Sequence, residues 1–67
     1  MKFNDEKFLI LAASNGMMLK DIAEKAEIST NALRDIRKGK SNPRTATLGK
    51  IAKALNVPVT DIVDIEE

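Results

Sequence analysis

The chain is 67 residues long, 43% hydrophobic and 31% charged, and its 11 basic and 10 acidic side chains leave a net charge of +1. This length predicts one small domain over residues 1–67. The absence of cysteine and histidine excludes disulfides, thiol or imidazole catalysis and zinc-type sites. The longest apolar run, residues 8–13, is far below the roughly 20 residues that cross a bilayer, and no signal-peptide pattern follows Met1. We therefore expect a soluble, cytoplasmic protein that is not an enzyme, with no catalytic residue, cofactor, metal, membrane partner or small-molecule substrate.

The first predicted helix spans about 5–14. Asn4 is a good N-cap, because its side chain can accept a backbone N–H of the first turn, and the two acidic residues that follow suit the positive end of the helix dipole. Phe3 and Phe8 occupy the two positions of a hydrophobic staple. The pair Asn15-Gly16 should end the helix, since both residues tolerate the left-handed conformation.

Two short amphipathic segments joined by a tight turn follow. In the first, predicted as a helix over about 19–26, apolar side chains recur at the i, i+3, i+4, i+7 spacing of one helix face. The second, over about 30–38, turns three apolar side chains inward, and Ser29 before it is a good N-cap. The residues between them leave no room for a loop. This is the outline of a helix-turn-helix, in which the second helix can be presented to a DNA major groove.

A fourth helix is predicted over about 46–55, where the same apolar spacing returns. Gly39 should end the preceding helix in the left-handed conformation, and Thr45 is the expected N-cap of the fourth. Asn56 is the expected left-handed terminator.

A short fifth helix is predicted over about 61–65, with Ile62 and Ile65 returning to the core. No strand, repeat or low-complexity linker is predicted. The sequence thus indicates an all-α, compact five-helix domain.

The positive charge is concentrated in the middle of the chain. Residues 30–59 hold seven Lys and Arg against Asp35 alone, whereas residues 1–29 carry a net charge of −1 and residues 60–67 a net charge of −4. Such asymmetry is what a phosphate-binding surface requires, because clustered cations displace the counterions of a duplex. A solvated helix face is the alternative interpretation of the same charges.

The segment 16–63, with the strings IAEKAEIS, GKSNP and TLGKIAKALNVPVTDIV, resembles the phage repressor and Cro-like (XRE) family of helix-turn-helix domains. The small Ala23 at the helix crossing, the apolar turn residue Ile28 and the fourth helix match the family pattern without a gap. The resemblance implies a lambda repressor-like DNA-binding domain: a compact five-helix bundle containing a helix-turn-helix.

The resemblance further implies that the helix over 30–38 enters the major groove. The positions that match the family's base-contacting residues are Thr30, Asn31, Arg34 and Asp35. Asn can pair bidentately with adenine and Arg with guanine, and Thr offers a hydroxyl or a methyl group. For Asp35 two interpretations stay open: it accepts from cytosine N4, or, as we favour, it holds Arg34 or Lys38 in place.

Phosphate contacts are expected from polar and basic groups around this helix. The residues concerned are Lys20, Ser29, Lys38, Lys40, Asn42 and Arg44. Such contacts fix register and orientation and do not read sequence. The alternatives are an ordinary cap at Ser29 and an ordinary polar loop over 39–44.

The chain departs from the family pattern in two places. Where many members begin the second helix with Ser or Thr and then a phosphate-binding Gln, this chain has Met18 and Leu19, and Lys20 is expected to replace the Gln electrostatically. Many members also pair an Arg in the first helix with a Glu in the third. The matching positions here are Ala12 and Arg37, which leaves Arg37 free to reach solvent or the DNA backbone.

Two apolar regions allow alternative interpretations. Met17 is expected to pack under the turn and Met18 to fill an irregular gap, and the alternative is a partner surface at Met17–Leu19. Val63 and Ile65, on the predicted terminal helix, either seal the core or contact a second copy. One 67-residue module touches few bases, so a homodimer on double-stranded DNA is expected.

The function predicted from these features is a sequence-specific, double-stranded-DNA-binding transcriptional regulator, most simply a repressor of the kind found in phage, mobile elements or toxin–antitoxin operons. The alternative is a protein-interaction module on the same fold, antitoxin-like or partner-dependent, with little DNA specificity. Catalysis has no paired carboxylates to support it. Single-stranded RNA binding lacks stacking aromatics, since Phe3 and Phe8 belong to the core.

Overall fold

The computed structural model describes residues 1–65, in which four α-helices and a two-stranded ribbon surround one apolar core. The elements in chain order are β1 (Lys2–Phe3), α1 (Asp5–Ser14), α2 (Leu19–Lys25), α3 (Thr30–Arg37), α4 (Thr45–Ala54), a 3₁₀ turn (Val59–Asp61) and β2 (Val63–Asp64). The two strands pair antiparallel, with Lys2 opposite Asp64 and Phe3 opposite Val63.

The local signals of α1 are confirmed. Asn4 caps the helix, its Oδ1 accepting a first-turn backbone N–H at 3.0 Å. The rings of Phe3 and Phe8 lie with their centroids 5.4 Å apart, as a hydrophobic staple requires. Gly16 adopts the left-handed conformation at φ +62°, whereas Asn15 stays in the helical region at φ −90°. Gly16 alone therefore provides the left-handed residue that ends α1.

The bounds of the later helices differ from prediction by one residue. The three helices after α1 each end one residue earlier than predicted, because Ala26, Lys38 and Leu55 are their C-caps. α4 begins at Thr45, so the predicted cap at Thr45 is wrong. Its first helical hydrogen bond is accepted by the Arg44 carbonyl at 3.0 Å, which makes Arg44 the N-cap residue.

The predicted fifth helix over 61–65 is wrong, and so is the prediction that the chain has no strand. After one 3₁₀ turn the backbone extends and finds its hydrogen-bond partners on the segment before α1. The Ile62 carbonyl accepts from the Asn4 N–H at 2.8 Å, and Val63 pairs with Phe3. Ile62 is buried as expected, but Ile65 is 72% exposed and does not return to the core. Strands of two residues are too short to show an alternating pattern in the sequence.

The core draws on every helix and on β2. Its buried members are Phe8, Ala12, Ile22, Ala23, Ala26, Leu33, Ile36, Leu48, Ile51, Ala52, Leu55, Ile62 and Val63. Within residues 1–65 no polar or charged residue is buried, so the core is held by apolar packing. α2 packs against both α3 and α4, and two small buried residues, Ala23 within α2 and its C-cap Ala26, allow their close approach. α3 is thus held against the centre of the domain.

The turn between α2 and α3 depends on one residue with an unusual backbone. Glu27 lies at φ +60°, and the Ile28 N–H donates to the Ala23 carbonyl at 3.0 Å across it. Only glycine adopts this conformation without steric cost. Asn56 after α4 does the same at φ +58°, as predicted, but a left-handed Glu27 was not expected from the sequence.

We predict that Glu27→Gly stabilises the domain. Relief of the left-handed conformation is worth roughly 1–2 kcal/mol, and the greater freedom of glycine in the unfolded chain offsets roughly 0.5–1 kcal/mol of it. The midpoint of thermal unfolding, followed by circular dichroism, should therefore rise by roughly 2–8 °C.

Glu24→Gly provides a matched control, because Glu24 is an exposed residue of the same charge inside α2. Glycine there should cost about 1 kcal/mol. If both variants melt at lower temperature than the wild type, the left-handed geometry of the turn is contradicted.

A polar cluster fastens β2 to the start of α1. The Asn4 Nδ2 donates to Asp64 Oδ2 at 2.9 Å, and the Lys7 ammonium lies 3.3 Å from Asp64 Oδ1. The hydrogen bond from Asn4, together with the interaction with Lys7, lowers the pKa of Asp64. The Asp64 carboxylate therefore links the two ends of the described chain.

We predict that Asp64→Asn destabilises the domain at neutral pH and leaves it unchanged in acid. A carboxylate with a lowered pKa in the folded state contributes stability that is fully present above about pH 4 and is lost as the pH falls through the folded pKa. Thermal melts from about pH 7 to about pH 2 should show the difference between wild type and variant shrinking to nothing. A difference that persists unchanged in acid would contradict the role assigned to the carboxylate.

Candidate nucleic-acid interface

α3 turns one face to the core and the other to solvent. Leu33 and Ile36 are only 2% and 5% exposed. The four predicted base-reading residues of this helix are exposed: Thr30, Asn31, Arg34 and Asp35. At about 100° per residue, the last three of these lie on the side opposite the two buried residues, and Thr30 lies at its edge. None of the four side chains forms a hydrogen bond or ion pair with another residue of the described part.

The two ends of α3 are fixed by backbone hydrogen bonds. At the start, the Ser29 Oγ accepts the Ala32 N–H at 3.0 Å, so the predicted cap is confirmed. Ser29 is exposed, and its own O–H remains available to donate. At the end, the Asp35 carbonyl accepts the N–H groups of Lys40 and Ser41 at 2.9 and 3.3 Å, with Gly39 left-handed at φ +75°. The turn after α3 is therefore closed against the helix.

The interpretation of Asp35 that we favoured from the sequence is wrong. In the described residues its carboxylate forms no ion pair with Arg34 or Lys38. All three side chains are exposed, and a solvated pair of this kind gains little over separate hydration. Asp35 thus presents its carboxylate on the same face as Arg34.

The predicted phosphate-contacting residues lie on the surface around α3. Lys20 is in the first turn of α2, Ser29 is the α3 cap, and the other four follow along the connection to α4. All six are exposed: Lys20, Ser29, Lys38, Lys40, Asn42 and Arg44. No ion pair within residues 1–65 neutralises any of the four cations among them. The structure therefore presents a basic surface beside the exposed face of α3.

Arg37 is not free, contrary to the interpretation of the sequence. Its Nε donates to Asp5 Oδ1 at 2.8 Å and its Nη2 to Asp5 Oδ2 at 3.5 Å. The side chains are 25% and 36% exposed, so the pair is partly shielded from water. The two residues are 32 positions apart, and no local pattern links them. The sequence shows only that Asp5 lies at the start of one predicted helix and Arg37 near the end of another, where the helix dipole favours their charges.

The start of α2 lacks a side-chain cap, as the sequence indicates. Met18 forms no cap hydrogen bond, and the Asp21 carboxylate accepts its backbone N–H at 3.3 Å instead. Met17 and Leu19 pack against the core, but Met18 is 62% exposed, so the prediction that it fills a gap is wrong. Leu19 also lines a groove with residues of α3, among them Thr30 and Arg34.

Residues 1–65 contain no group of three or more acidic side chains that could hold a metal ion. No helix there is long and apolar enough to cross a membrane.

Known proteins resemble this chain in both sequence and fold. A family model described as helix-turn-helix matches residues 10–62. The HTH-type transcriptional regulator DdrOP3 of Deinococcus deserti is 36% identical over 59 residues, which are 88% of this chain and 46% of that protein. This chain therefore spans about half the length of that relative.

The crystal structure of the clp gene regulator ClgR from C. glutamicum has the same fold, with a TM-score of 0.74 and 23% identity over 85% of this chain and 74% of that one. The matched region of the family model contains α2, α3 and the turn between them. The chain belongs to the XRE-type helix-turn-helix family of DNA-binding domains.

Proposed function

We propose that the chain is a sequence-specific, double-stranded-DNA-binding transcriptional regulator, most simply a repressor, that reads the major groove with α3. One observation carries this proposal. The solvent face of α3 bears an amide and a guanidinium, from Asn31 and Arg34, that no residue of the described part engages. These are the groups that pair bidentately with adenine and guanine.

Thr30 and Asp35 complete the proposed base-reading set. Thr30 is the first residue of α3, exposed beside Arg34 at the groove with Leu19. Its hydroxyl or methyl group suits a base edge. The unpaired carboxylate of Asp35 supports the remaining interpretation, acceptance from cytosine N4.

Phosphate contacts are assigned to the uncompensated groups around α3. Lys38, Lys40 and Arg44 follow one another along the connection to α4, with Asn42 between them, while Lys20 lies at the start of α2. These groups supply affinity and register without reading sequence. Each cation that binds a phosphate contributes about one unit to the slope of log affinity against log salt.

The small size of the reading surface supports a homodimer on DNA. α3 has eight residues, and four of its side chains are candidates for base contacts. A single module of this size covers too few base pairs for high specificity, whereas two copies read half-sites about one helical turn apart. Bound at a promoter in the cytoplasm, such a dimer would occlude polymerase, which is the simplest mechanism of repression.

A second function is supported by a different surface. Leu9, Ile10 and Met18 are 39%, 65% and 62% exposed, and Leu9 and Met18 line one groove with Ala13 and Met17. Exposed apolar groups close together are typical of protein-binding surfaces. A protein-interaction module with little DNA specificity is therefore the alternative.

We predict that duplexes selected from a randomised DNA pool, at a stated salt concentration, share a two-fold symmetric motif. Arg34→Ala and Asn31→Ala should each relax the preference at one base position per half-site and cost about 1–3 kcal/mol, or roughly 5- to 150-fold, in affinity for the selected duplex.

Arg44→Ala is the matched control, because it removes the same side chain from the proposed phosphate set. It should weaken binding to selected and random duplexes alike and reduce the salt slope by about one. If the wild type enriches no motif, the regulator proposal fails in favour of the protein-interaction module. If Arg34→Ala leaves the motif unchanged, α3 is not the reader.

We predict that two substitutions of Ser29 separate its cap from its phosphate contact. Ser29→Ala should cost about 1 kcal/mol of stability, whereas Ser29→Gly should cost a few tenths, since glycine is a tolerable N-cap. Both remove the hydroxyl and should weaken DNA binding equally. Thermal melts and binding to a random duplex measure the two effects, and unchanged binding in both variants would leave Ser29 as a cap alone.

A further inference from the structure

The Arg37–Asp5 ion pair joins the last residue of α3 to the first residue of α1 by two hydrogen bonds. A guanidinium that meets a carboxylate through two N–H groups fixes the angle between them as well as the distance. Each charge also lies where the helix dipole favours it, the carboxylate at a helix start and the guanidinium at a helix end. The pair is therefore geometrically defined and electrostatically favourable.

This pair is the one directional side-chain link between α3 and another helix in residues 1–65. Apart from the backbone hydrogen bonds of its two flanking turns, α3 is attached by apolar burial, chiefly of Leu33 and Ile36. Apolar burial is non-directional, so it sets which face of the helix turns inward but leaves the tilt of the helix axis less well defined. The ion pair supplies the missing angular restraint at the C-terminal end.

The restraint acts close to the proposed reading residues. Arg37 lies one helical turn after Arg34 and lines the same groove as Arg34 and Thr30. Its charge is matched by Asp5, so Arg34 is the uncompensated cation on this edge of the helix. Bidentate base contacts need placement within about 0.5 Å and 10–20°. A lysine that meets a phosphate as a point charge tolerates larger displacement.

We propose that Asp5 and Arg37 are positioning residues: their pair sets the angle between α1 and α3 and thereby the base discrimination of the domain. Arg37 does not itself bind phosphate. The effect on base discrimination rests on the proposed function. The effect on the angle between the helices does not, because that angle is a property of the protein without DNA.

The test uses Asp5→Asn and Arg37→Gln, which change the net charge in opposite directions. If Arg37 bound phosphate, Arg37→Gln would reduce the slope of log affinity against log salt by about one, whereas a positioning residue leaves that slope unchanged. If the pair positions α3, both variants should lower the ratio of affinities for selected and random duplex by roughly 3- to 30-fold, and the double variant should be no worse than either single one.

Two further variants act as controls. Arg37→Lys keeps the charge but cannot form the two-point contact, so it should lower the same ratio with the salt slope unchanged. Glu6→Gln removes the neighbouring acid of α1, which is exposed and forms no ion pair with the described residues. It makes the same charge change as Asp5→Asn and should leave the ratio unaltered.

Residual dipolar couplings of the free protein measure the angle between α1 and α3 without DNA. The angle should move by about 10° or more in Asp5→Asn and Arg37→Gln and stay fixed in Glu6→Gln. Unchanged angles, or a salt slope that falls by about one in Arg37→Gln, overturn the proposal. A wild type that selects no duplex overturns the regulator function instead, and the couplings still decide the role of the pair.

Discussion

The burial of Leu33 and Ile36 determines which side chains of α3 face solvent. A helix of eight residues with two side chains in the core has only one rotation about its own axis that keeps both there. That orientation brings Asn31, Arg34 and Asp35 to the solvent side. The other helices supply the apolar surface that receives the two residues, with the small Ala23 on α2 allowing close approach. The exposed chemistry of α3 is thus a consequence of its buried face.

Polar interactions then refine a position that apolar packing sets only approximately. The Ser29 cap fixes where α3 begins, and the Asp35 carbonyl fixes the turn after it. Both are local and hold the ends of the helix to neighbouring chain. The Arg37–Asp5 pair differs, because it reaches from α3 to another helix. Apolar packing therefore sets where α3 lies, the caps set its length, and the ion pair sets its angle to α1.

Local signals were sufficient for part of the fold. The cap at Asn4, the staple of Phe3 and Phe8 and the left-handed Gly16 each depend on residues within one or two turns, and each was predicted correctly. The apolar spacing also located four helices to within one residue at each end. These features are readable because a helix forms from interactions between near neighbours.

Non-local features could not be predicted in the same way. The ribbon that replaces the fifth helix depends on Val63 meeting Phe3, some 60 residues away. The partner of Arg37, Asp5, lies 32 residues earlier, and no sequence pattern links the two residues. Glu27 adopts a conformation that its type disfavours, because packing of α2 and α3 imposes the turn. For the candidate site, the resemblance to the family, and not periodicity, selected the four residues proposed to read bases.

The placement of acids explains how a chain of net charge +1 presents a basic surface. Asp5 is paired with Arg37, Asp21 accepts the backbone N–H of the α2 N-cap Met18, and Asp64 is held by Asn4 and Lys7. These carboxylates are engaged on α1, α2 and the ribbon. Along the connection from α3 to α4, the cations have no such partners in the described residues. Because exposed charges further apart than about 10 Å are largely screened at moderate salt, an approaching duplex responds to this local excess and not to the net charge of the chain.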